Sequence, residues 1–190
     1  RLNRATPVTA TAAVCVAMLG EDRALTLDEV SATVAPLARY LRARGWPVAG
    51  GADLTERATV SQTLQDLVGS GVLTRYSGGT TTVWGIGDDQ HLIAAVYRNS
   101  AIHVLLMRAI AELALLAIVR APAMTKRVGW ERALEIRELL KFDFFFGGRD
   151  EFAGELWREI AIMSGQEYDP NAPLESEEAA RILQHSDLIV

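Results

Sequence analysis

The feature that most constrains this chain is the stretch from Asp88 to Arg120, DDQHLIAAVYRNSAIHVLLMRAIAELALLAIVR. At 3.6 residues per turn it predicts a helix of roughly eight or nine turns, with Asn99 as the candidate break point. Its length alone would allow a membrane span, for which about 20 apolar residues suffice. Arg98, Asn99, His103, Arg108 and Glu112 interrupt it, however, and each charge at a bilayer centre costs roughly 2.5 to 3.5 kcal/mol. The stretch is therefore expected as a long buried helix of a folded protein. On a helical wheel Arg98, Arg108 and Glu112 share one arc of roughly 80° while His103 points elsewhere, so the polar groups do not converge. Arg108 and Glu112 are spaced to pair along the helix, a contribution of about 0.2 to 0.5 kcal/mol at an exposed position. Arg98 and Asn99 are expected to tie this helix to neighbouring segments through hydrogen bonds, with anion binding as the sharper alternative. His103 is expected to pack inside with a ring nitrogen bonded, against the alternative of a titratable catalytic base.

The first part of the chain reads as three helices and a hairpin. TATAAVCVAMLG is small and apolar all round, with Thr9 or Thr11 available as N-cap and Gly20 as a stop. LTLDEVSATVAPLARYLRARG opens with the capping-box pattern Thr26-x-x-Glu29, and Pro36 is a candidate kink. GWPVAGGAD is a loop, and TERATVSQTLQDLVGSG is a third helix closed by glycine. The period then changes: VLTRYSGGTTTVWGIG reads as a β-hairpin near residues 72–86. The expected fold class is mainly α, with a winged-helix-like lobe over residues 1–88 followed by a helical lobe over 89–190. Such a lobe often reads DNA, yet its third helix offers only Arg57 and carries Glu56 and Asp66 nearby. With a formal net charge of −5, nucleic acid is not an expected partner.

After Pro122, GWERALEIRELLKFDFFF is amphipathic, Gly147-Gly148 turn the chain, RDEFAGELWREIAIMSG is a further helix, and QEYDPNAPLESEE is a linker whose acidic end starts another helix. The aromatic run Phe142, Phe144, Phe145 and Phe146 beside Lys141 is expected to fill a core, with contact to a membrane surface as the alternative. The composition, 49% hydrophobic and 23% charged, is that of a folded chain. The lone Cys15 among apolar neighbours suits a buried thiol in a reducing compartment.

Reaction chemistry is not evident in these residues. His91, His103 and His185 are far apart and a single cysteine makes no zinc pattern, WGIGDD does not complete a phosphate-binding glycine loop, and no G-x-S-x-G elbow occurs. The chain begins at Arg1 and ends within a helical pattern at Val190, so a fragment of a longer protein is expected.

The succession of RLNRATPVTATAAVCVAMLG, VYRNSAIH and RELLKFDFFF, in that order, resembles the C-terminal region of bacterial glycerol-3-phosphate acyltransferases, actinobacterial members above all. The resemblance implies a parent enzyme that transfers an acyl chain from acyl-CoA or acyl-carrier protein to the sn-1 hydroxyl of glycerol 3-phosphate, for phospholipid synthesis, at the cytoplasmic face of the membrane. In that family a histidine and an aspartate in an H-x-x-x-x-D motif activate the hydroxyl. Here the fifth residue after His91, His103 and His185 is Val96, Arg108 and Val190, so no catalytic residue carries over. No cofactor is expected beyond the parent's acyl donor. The family-motif positions are Asn3, Thr9, Tyr97, Arg98, Asn99, His103 and Lys141, for which the resemblance implies structural support. Asn3, Arg4 and Thr9 would lie where the chain leaves the catalytic acyltransferase domain, the expected partner of this region. The alternative is a winged-helix protein-interaction module without enzymatic activity.

Overall fold

The computed structural model describes residues 6–121, 125–165 and 174–186. Helix α1 (Ala10–Leu19) starts where Thr9, in extended conformation, accepts a hydrogen bond from the Ala12 N–H at 3.1 Å. Its Ala12, Ala13, Val14, Cys15, Ala17 and Met18 are all buried; small side chains on every face let α2 and α3 approach it closely. Just before it, Val8 forms an isolated parallel bridge with Val48. Strand β1 (Leu25–Thr26) leads directly into α2 (Leu27–Arg44). The capping box is complete: the Glu29 N–H donates to Thr26 Oγ1 at 3.3 Å and the Thr26 N–H to Glu29 Oε2 at 2.7 Å. Arg23 adds an ion pair to Glu29 at 2.8 Å. Those hydrogen bonds from Thr26, then Arg23, hold the Glu29 carboxyl down at about 2. α2 runs through Pro36 and ends at Gly45, whose φ of 67° closes the helix with Trp46 N–H bonded to Leu41 O at 2.9 Å.

Helix α3 (Arg57–Gly69) follows, then β2 (Thr74–Tyr76) and β3 (Val83–Gly85) form the expected hairpin. β1 adds to it, pairing Leu25 with Trp84, so the sheet is three-stranded and antiparallel in the order β1-β3-β2. The two-residue β1 escaped the sequence reading because it is too short to show a period of two.

Helix α4 runs without interruption from His91 to Arg120, after a single 3-10 turn at Asp88–Gln90. The break expected at Asn99 does not occur; asparagine is a weak helix former, and one such residue does not outweigh the flanking turns. By length and composition alone the Asp88–Arg120 stretch is long and apolar enough to cross a membrane, and half of its most apolar window is buried within the fold. The chain divides into two compact units, Arg1–His103 and Val104–Val190. That division falls inside α4, where the sequence suggested a change of lobe at residues 88 and 89.

In the second unit the rest of α4 packs with α5 (Thr125–Leu140), α6 (Arg149–Ser164) and α7 (Ser176–His185) around Ile110, Leu115, Phe152, Leu156, Ile160 and Ile182. Gly129 lets α5 come close to α4, since a Cβ there would lie 2.7 Å from Ile118 Cδ1 and 3.2 Å from Ala114 O. On the same part of α4 Arg108 and Glu112 are buried too, their side chains 4% and 1% exposed and joined Nε to Oε1 at 2.7 Å. The contribution of about 0.2 to 0.5 kcal/mol holds for such a pair only when exposed; burial makes each partner costly to remove instead. The architecture is mainly α, with one small antiparallel sheet. The chain break expected at Pro122 and most of the QEYDPNAPLESEE linker lie outside the described residues.

Candidate functional site

The motif residues occupy three kinds of position, none of them a shared pocket. Thr9 is spent on capping α1, and Asn3, with Arg4, lies outside the described residues. Tyr97 and Asn99 are exposed on α4 and Arg98 is half-buried. Arg98 donates from Nε (3.3 Å) and Nη2 (3.0 Å) to Asn99 Oδ1, so the two side chains bond each other and make no tie to a neighbouring segment among the described residues. Two guanidinium N–H groups thus converge on one acceptor oxygen. His103 is half-buried, edge-on to Trp46 with ring centroids 6.1 Å apart.

Lys141 belongs to the other unit, where it pairs with Glu138 at 2.7 Å and lies 5.2 Å from the Phe142 ring centroid. Its hydrogen bond and charge hold the Glu138 carboxyl below the usual carboxylate range. The aromatic run beyond it splits. α5 ends at Leu140, whose carbonyl accepts the Asp143 and Phe144 N–H groups, and once the helical spacing is lost successive rings point in different directions. Phe146 turns inward onto Phe152, centroids 5.7 Å apart, while Phe142 and Phe145 stand 88% and 87% exposed. Core filling, expected for the whole run, therefore holds for Phe146 alone among the strongly oriented rings. Arg137 backs the loop, donating from Nη2 to Gly147 O at 3.0 Å with its guanidinium 5.6 Å from the Phe152 ring.

Two exposed apolar surfaces stand out, the second of them at the aromatic run whose alternative reading was an exposed one. One is the outer face of α4, with Leu92, Ile93, Val96 and Tyr97 all exposed; the other is Leu139 with Phe142 and Phe145. Their signal in the sequence was too many apolar residues for one buried stripe. The cavity that the first unit does contain, about 260 Å³ between Leu41, Trp46, Val48 and Leu54, is rimmed by Arg42 and Asp53 paired at 3.7 Å and touches no motif residue. Burial pushes the Cys15 thiol up to about 11, which leaves no thiolate to act as nucleophile near neutral pH. Among the described residues no three histidine, cysteine or carboxylate side chains gather as metal ligands.

The class that the fold defines is a mainly helical region with exposed apolar surface on α4 and beyond the end of α5. The family model of the glycerol-3-phosphate acyltransferase C-terminal region matches residues 1–187, and the chain belongs to that family. It is 49% identical over 197 aligned residues to "Putative acyltransferase plsB1" of Mycobacterium bovis and of Mycobacterium tuberculosis. All of this chain is covered, against 31% of the relatives' length. The chain thus spans about a third of the curated relatives it matches.

Proposed function

We propose that the chain is the accessory C-terminal region of a glycerol-3-phosphate 1-O-acyltransferase and that it supports the catalytic part of the same polypeptide by docking on it. In the parent reaction the glycerol 3-phosphate hydroxyl oxygen forms an ester bond to the acyl carbon, the thioester C–S bond of acyl-CoA or acyl-carrier protein breaks, and the hydroxyl proton ends on the released thiol. This region contributes neither base nor cofactor to that step. The observation that carries the reading is that the family-motif residues Thr9, Tyr97, Arg98, Asn99 and Lys141 sit at a helix cap, on an open helix face and beside a loop, not around a cavity. Deleting residues 1–187 from the parent is expected to abolish acyl transfer, measured with radiolabelled glycerol 3-phosphate. Full activity of the truncated enzyme would refute the supporting role.

Peripheral attachment to the cytoplasmic face of the membrane is part of the same proposal, and the exposed Leu139, Phe142 and Phe145 favour it. Aromatic rings beside a lysine match the mixed polarity of the headgroup boundary. Replacing Phe142 and Phe145 by Ser should release the parent from vesicles in a flotation assay; unchanged flotation would remove the loop from the membrane contact. The second reading, a winged-helix interaction module, draws on the order α1-β1-α2-α3-β2-β3. Against a DNA-reading version stands Arg57, the single basic residue of α3, which pairs with Asp28 at 2.9 Å.

A further inference from the structure

Leu92, Ile93, Val96 and Tyr97 fall at i, i+1, i+4 and i+5 of α4 and so form one continuous apolar face, with Leu92 77% and Val96 63% exposed. On the other side of the same turns Ala94 and Ala101 are wholly buried, which fixes the helix and presents the outer face rigidly. A soluble surface seldom keeps such a patch uncovered. Around it lie polar groups: Asp88 and Asp89 at the N-terminal end, the Arg98–Asn99 fork along the edge, and Ser100 one turn on. An apolar centre with tyrosine and arginine and a polar margin is the anatomy of a protein contact.

We infer that this face of α4 is the seat on which the preceding, catalytic part of the full-length polypeptide packs. The inference rests on the accessory-region reading and gives it a location. The relatives extend far beyond the 31% that this chain covers, so the occupant is a neighbour on the same polypeptide. Tethering raises its effective concentration to about the millimolar range, so a face of modest area suffices. A bilayer fits less well, because the Asp88 and Asp89 carboxylates at one end repel an anionic membrane surface. The Arg98 guanidinium carries five N–H donors, more than the two that Asn99 accepts, and suits a carboxylate of the docked segment.

The test is hydroxyl-radical footprinting of the full-length parent, read by mass spectrometry on its monomeric fraction with and without vesicles. Leu92 and Tyr97 have internal standards of the same residue type and similar exposure, Leu139 at 73% and Tyr76 at 49%. In the vesicle-free sample, where Leu139 is not in contact with lipid, Leu92 and Tyr97 covered by the catalytic part should be modified several-fold more slowly than those standards, and Val96→Asp should restore their rate. Equal rates would overturn the inference. So would protection that appears only with vesicles or only in a dimeric fraction, which would make the occupant lipid or a second copy. A parent without acyl transfer to glycerol 3-phosphate would refute the functional reading and leave the footprint to stand or fall by itself.

Discussion

Between His91 and His103, α4 leaves Leu92, Ile93, Val96 and Tyr97 against solvent, whereas between Val104 and Arg120 the same helix encloses Arg108 and Glu112. One continuous helix thus exposes large apolar side chains in one compact unit and buries charges in the other. Hydropathy along the helix does not explain the difference; the partners do. The second part is surrounded by α5, α6 and α7 side chains such as Phe152, Leu156 and Ile160, while the first part has one buried line through Ala94 and Ala101.

This contrast breaks most sharply at the ion pair. Glu112→Ala should lower the stability of the protein by about 3 to 5 kcal/mol, since it removes one side of a buried, hydrogen-bonded ion pair; equilibrium urea denaturation reads the change. Replacing both residues together, Arg108→Met with Glu112→Leu, should recover most of the loss, and failure to recover would mean the pair is held by more than its own charge. Gly129→Ala comes next, at about 1 to 3 kcal/mol, because the new methyl meets Ile118 and the Ala114 carbonyl in a filled core. An unchanged midpoint would show that α5 can retreat from α4 at little cost.

In the first unit the corresponding effects are smaller and local. Thr9→Ala should cost about 1 kcal/mol through loss of the α1 cap, with Thr9→Ser largely restoring it. The smallest effect concerns Glu29, whose carboxyl lies at about 2 in the folded protein against an ordinary 4.5. A depressed pKa gives stability that is complete above the ordinary value and is lost as pH falls from there through the folded one. The melting temperature should therefore fall between pH 4.5 and about 2 by an increment that Glu29→Gln removes; an identical acid profile in the variant would assign the fall to other carboxylates.

Much of this was legible before any coordinates. The α1 cap, offered by the sequence at Thr9 or Thr11 and taken by Thr9, the Thr26–Glu29 box, the glycine ends and the hairpin are local devices, written in neighbouring residues. The class of the chain was legible too, through three motifs in order. Where the reading failed, the cause was distance along the chain. β1 exists because Trp84, nearly sixty residues away, offers Leu25 a partner. The Phe run divides because Phe152 and Arg137 receive Phe146 and nothing within the described fold receives Phe142 or Phe145. For the candidate surface, the sequence supplied Tyr97, Arg98 and Asn99, and the structure adds that Arg98 and Asn99 bond each other.

The sequence by itself determined the caps and closing glycines of α1 and α2, the mainly α class and the family, because capping, turn chemistry and motif order are settled by near neighbours. Only the tertiary structure decided which side of each helix is covered, that Arg108 and Glu112 lie inside and that Leu92 and Val96 lie outside. Burial is a property of the elements brought opposite a side chain, and those elements are chosen by the packing of the whole unit rather than by the turn in which the residue sits.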